Sequence, residues 1–148
     1  MGQYRSASIA IGISTLAAVF VAGAALAEGA STYVVNIENG ATVTSPVTVV
    51  FGLSGKGVAP AGVEKEGTGH HHILLNRAPY GEAADDNEML EFGIPADDNH
   101  IHFGGGQTEV VLELEPGEHT IQLLLGDHNH VPHDPVVVSE VVTFTVSE

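Results

Sequence analysis

The chain contains no cysteine and no tryptophan, and only four basic residues. Without a thiol there is no disulfide, no thiol nucleophile, no iron–sulfur cluster and no all-thiolate zinc site. Stability has to come from packing, with or without a bound ligand. Against Arg5, Lys56, Lys65 and Arg77 stand nineteen acidic residues, for a formal net charge of −15. Such a surface repels phosphate backbones, which excludes nucleic acid as a partner and makes cations the natural counterpart. The same charge also serves plain solubility. Three tyrosines and five phenylalanines are few for a platform that stacks sugars.

Long apolar runs are also missing, except at the start. Arg5 precedes a stretch from Ile9 to Leu26 that is apolar or small throughout, and Ala25-Leu26-Ala27 matches a small-x-small cleavage site. Residues 1–27 are therefore expected to be a secretory signal peptide, although the run approaches the length of a membrane anchor. Cleavage would leave residues 28–148 as one domain with a modest core, periplasmic or secreted, with no membrane attachment.

Nothing in that domain has the period of a long helix. Short β-branched runs recur between Gly, Pro, Asn and Asp clusters, the pattern of an all-β sandwich or barrel. Ser31 to Glu38 alternates, with Tyr33, Val35 and Ile37 on one face, and Asn39-Gly40 is a turn. Further strands are expected from Pro46 to Leu53, Gly69 to Asn76, Asn99 to Phe103, Gln107 to Leu114, Glu118 to Gly126 and Val136 to Val146. Between the third and fourth, Arg77 to Asp98 is acidic and irregular; it lacks the ladder of a calcium loop and is expected to be solvated, pinned by Met89, Leu90, Phe92 and Ile94. About seven strands with short turns predict a single immunoglobulin-like or fibronectin-like antiparallel β-sandwich, with a small closed barrel as the alternative.

What the chain does have is histidine. Eight of its nine lie in three patches: His70-His71-His72, His100-Ile101-His102, and Asp127-His128-Asn129-His130-Val131-Pro132-His133-Asp134. Neutral imidazole is the commonest protein metal ligand. If successive strands alternate in direction, the start of the third, the end of the fourth and the end of the sixth share one pole of the domain. His70 and His72, and likewise His100 and His102, sit at i, i+2 and face the same way, about 6.5–7 Å apart. Two such side chains reach one ion with nitrogen ligands at about 2.0–2.1 Å.

The candidate metal ligands are thus His70, His72, His102, His128, His130 and His133, with Asp127, Asp134, His100 and His71 as orienting partners around them. His71 shares its face with Ile73 and Leu75 and also suits a packed core position, His100 a cross-sheet hydrogen bond, and His119 a structural role on an apolar strand. A buried network of neutral imidazoles, which both donate and accept, is the alternative to a metal site. Imidazole without thiolate points to zinc or copper(II). Proton competition predicts that affinity collapses as the pH falls through about 6.5.

From Asn36 to Val146 the sequence resembles an uncharacterised bacterial family of small exported β domains, known by a domain-of-unknown-function label. The resemblance is carried by Val58-Ala59-Pro60-Ala61-Gly62-Val63, Gly67-Thr68-Gly69-His70-His71-His72, His100-Ile101-His102-Phe103-Gly104 and Leu123-Leu124-Leu125-Gly126-Asp127-His128-Asn129-His130-Val131-Pro132-His133. It implies a periplasmic or secreted location and no established activity. There is also an analogy of architecture to copper–zinc superoxide dismutase, a β-sandwich with histidines at i, i+2.

Three functions are compatible with these residues. The favoured one is a non-enzymatic exported protein that captures a divalent ion through converging imidazoles. The second is a metalloenzyme with an open coordination position, dismutating superoxide or hydrolysing esters, with Asp127, Asp134 or Glu66 as base. The third is a structural or adhesive envelope module whose histidines form a polar plug.

Overall fold

The Val- and Thr-rich runs form nine strands among residues 29–148, the part of the chain that the computed structural model describes. The expected signal peptide lies outside the described residues. β1 (Ser31–Val34), β3 (Val47–Ser54) and β7 (Glu109–Leu112) make one antiparallel sheet in that order. The second sheet runs across β2 (Ala41–Val43), β9 (Val142–Val146), β8 (Gly117–Gly126), β5 (Thr68–Leu75) and β4 (Gly57–Val58), and β6 (His100–His102) also pairs with β5.

The fold is all-β, as the patterning predicts, but the pairing is not wholly antiparallel. β2 pairs parallel with β9, and β4 parallel with β5. These are strands of three and two residues that end the second sheet; neither is joined to its neighbour by a hairpin, so no turn forces an antiparallel partner.

The main core lies between the sheets. Val47, Val49 and Phe51 of β3 and Leu112 of β7 meet Ile73 and Leu75 of β5, Ile121 and Leu123 of β8, and Phe144 and Val146 of β9. Burial of these side chains at about 25 cal/mol per Å² is the principal stabilising term in a domain without cross-links. The alternation expected from Ser31 to Glu38 does not run the whole way: Thr32 is buried and Tyr33 and Val35 are exposed, while Ile37 is buried instead of sharing their face. The strand ends at Val34, where Asn36 takes over, donating to the Thr48 carbonyl and accepting from Val50 N–H. The resulting bend is what returns Ile37 to the core.

The other face of β5, β6 and β8 holds the site. Its apolar end, Leu74 and Leu124, is covered by Met89 and Ile94. The stretch between β5 and β6 is not a loose loop. A 3₁₀ turn (Asp86–Glu88) and one helical turn, α1 (Met89–Phe92), fold around the buried carboxylate of Asp86. That carboxylate accepts from Gly81 N–H and Ala83 N–H and is bridged by Arg77 at 2.6 Å. Met89 and Ile94 pin the stretch as expected, whereas Leu90 and Phe92 point to solvent.

Candidate metal centre

Strand alternation decides which histidines meet. Along β5, His71 faces the main core beside Ile73 and Leu75, its ring 5.1 Å from that of Phe51. His70 and His72 face the other way. In the antiparallel register His72 lies directly opposite His102 of β6, and His70 opposite Gly126 of β8. Three imidazoles therefore form a patch on adjacent strands, as cross-strand and i, i+2 neighbours must. The ring centroids of His70 and His72 are 4.8 Å apart, and those of His72 and His102 stack at 5.1 Å.

The fourth ring arrives from the loop after β8. His130 has φ +67°, a left-handed conformation rare for a side-chain-bearing residue. Asp127 holds it there. Its carboxylate accepts from Asn129 N–H and Val131 N–H, its carbonyl accepts from His130 N–H, and its N–H donates to Val131 O. From the other side Ile94 N–H donates to the His130 carbonyl at 2.8 Å. So fixed, the His130 ring stands edge-on to His70 and to His102, with centroids 5.0 and 4.6 Å apart.

His70, His72, His102 and His130 can each turn one nitrogen into a common space in which those four atoms lie within 4.8 Å of one another. A tetrahedral ion with bonds of about 2.0–2.1 Å needs nitrogens about 3.3–3.4 Å apart, so the rings close by on the order of an ångström. His70 Nε2 and His130 Nδ1 are already 3.0 Å apart, sharing a hydrogen bond. Both nitrogens of His72 and Nδ1 of His70 are buried with no protein partner among the described residues, as are both nitrogens of His71 on the other face of β5 and Nε2 of His133. Each such orphan costs about 1–3 kcal/mol unless a ligand satisfies it. The donor set and the orphaned nitrogens both fit a cation that takes imidazole.

Electrostatics keeps the donors ready. Burial, reinforced by the neighbouring imidazoles His130 and His102, lowers His70 to about 4. Burial, with His70 and His102 beside it, lowers His72 to about 2. His102 is also lowered, by burial and then by His130. At neutral pH His70, His72 and His102 are therefore neutral, each with one nitrogen carrying a proton and the other a lone pair free to bind.

Room for the rings comes from glycine. A Cβ on Gly126 would lie 2.9 Å from His72 Nε2, and one on Gly104 2.6 Å from His102 Nε2. On the opposite face of β5 a Cβ on Gly69 would lie 2.7 Å from His133 Nε2. Strand patterning assigns these glycines no such role. The signal was there in each glycine's position one or two residues from a histidine.

The remaining candidates lie outside the four-ring group. His128 hydrogen-bonds Asn129 through its Nε2 and, with His133, lines a separate surface cavity of about 310 Å³ beside Lys56 and Lys65. His133 is lowered by burial and by the nearby Lys56 charge, with Asp127 opposing. Asp134 is exposed. Asp127 orients His130 through the backbone rather than through its ring. His100 donates from Nδ1 to Asp97 and meets Arg77 at Nε2, which ties β6 to the Asp86 fold. His119 bonds Asn76 and the Glu115 carbonyl and stacks on Phe144, a structural arrangement.

Compared with known proteins, residues 49–147 match a family model described as a domain of unknown function (DUF4399). No curated protein and no solved structure matches the chain.

Proposed function

The chain belongs to this DUF4399 family, whose label carries no activity, and we propose from the site itself that it is an exported protein capturing a divalent transition ion, zinc or copper(II). The observation that carries this is the convergence of four imidazole nitrogens from three separate segments within 4.8 Å. Neutral imidazole suits both ions, and the acidic body raises the local cation concentration. Four protein nitrogens fill a tetrahedral shell, which suits holding an ion rather than presenting it to a substrate. The signal-peptide pattern over residues 1–27 supports capture in the periplasm or outside the cell.

The competing reading is a metal-free polar plug, for which the His70–His130 hydrogen bond speaks. Calorimetric titration of the tag-free mature domain with zinc, copper(II) and nickel separates the two. Capture gives one ion per chain with submicromolar affinity, abolished in His72→Gln. Millimolar binding of all three ions, unchanged by His72→Gln, overturns it.

A further inference from the structure

The four rings are not held alike. His70 and His72 are fully buried on β5, which is paired on both sides by β8, β4 and β6. His130 is locked by hydrogen bonds to both sides of its peptide unit. His102 differs. It is the least covered of the four and lies on β6, a strand of three residues whose single partner among the described residues is β5. Its ring rests over Gly104, which has no side chain to confine it.

Resting on the capture reading, we infer that His102 is the exchangeable ligand, through which the ion enters and is passed on. An incoming donor approaches from solvent and forms a bond to the ion as the His102 nitrogen withdraws with its lone pair. His70, His72 and His130 keep the ion until further donors replace them. The ion's oxidation state is unchanged, and no proton has to leave the neutral ring. The barrier is low because an edge side chain turns while the sheet and the Asp127 loop stay in place. The acidic body repels polycarboxylates, so the physiological acceptor is a protein or small molecule offering uncharged nitrogen or sulfur donors.

The test is stopped-flow transfer of zinc from the loaded mature domain to 4-(2-pyridylazo)resorcinol. For the native chain the rate should rise in proportion to acceptor concentration. His102→Ala should still retain one zinc at micromolar protein and transfer it about ten-fold faster, whereas His70→Ala and His72→Ala should not retain it. Gly104→Ala, which crowds the same ring and leaves the other three alone, should also accelerate transfer. Circular dichroism melts confirm that each variant is folded, and His70→Ala serves if His72→Ala is not. A native rate independent of acceptor, or a His72→Ala domain that retains and transfers zinc like His102→Ala, overturns the inference while leaving capture standing. A native chain that retains no zinc or copper overturns both.

Discussion

At the scale of single residues, the decisive property is that the inner imidazoles resist protonation. The sequence alone predicts loss of binding near the ordinary histidine value of about 6.5. Burial moves the protonation of two of the rings down: His70 to about 4 and His72 to about 2. Zinc binding should therefore persist at about pH 5.5, where free imidazole is mostly protonated, and titrations there check it. The same shifts make the metal-free fold sensitive to acid. Below about 6.5 the unfolded chain takes up protons on His70, His71 and His72 that the folded chain refuses. Stability is thus fully present above that pH and falls as the pH is lowered. The slope is up to about 1.4 kcal/mol per pH unit for each group. For His70 and His71 the loss ends near 4, and for His72 near 2. Urea titrations of the metal-free domain at several pH values between neutrality and 4.5 should show this decline, and a flat profile contradicts it. Composition and spacing pointed to the histidines. They did not reveal that an imidazole so placed is held neutral, because desolvation depends on what covers the ring.

At the scale of elements, two irregular segments do the positioning, and both are organised by a carboxylate. Asp127→Ala removes the acceptor for Asn129 N–H and Val131 N–H and frees His130 to leave its left-handed conformation. The expected loss is about 2 kcal/mol of stability and about ten- to a hundred-fold in zinc affinity; chemical denaturation and competitive titration measure the two. Arg77→Ala leaves the buried Asp86 carboxylate without its cation, and a loss of about 3–5 kcal/mol follows. A melting temperature within a degree or two of the native value argues against it. The β-strands were legible because their alternation is local. The fold of residues 77–98 was not, because nothing in a run of acidic residues says which carboxylate will be buried. The expected alternation from Ser31 to Glu38 breaks after Val34 for a related reason: Asn36 ends the strand early, and a side chain bonding to the backbone leaves no periodic signal.

At the scale of the whole molecule, charge governs encounter. With nineteen acidic residues and four basic ones, cation association should slow by about ten-fold between roughly 0.01 M and 0.5 M salt, as screening shortens the field. Stopped-flow zinc binding across that range measures it, and a rate indifferent to salt leaves the acidity with solubility alone. The sequence by itself determined the all-β class, the enrichment in histidine, the exclusion of thiol chemistry and the sign of the surface. Those follow from composition and short-range period, which need no coordinates. Only the tertiary structure decided that His70, His72, His102 and His130 converge while His128 and His133 do not. That choice rests on strand register, on the left-handed turn at His130 and on glycines that leave space for rings. The register of His72 with His102 and of β5 with β8, the Ile94 bond to His130 and the contact of Gly126 with His72 each join segments thirty or more residues apart along the chain.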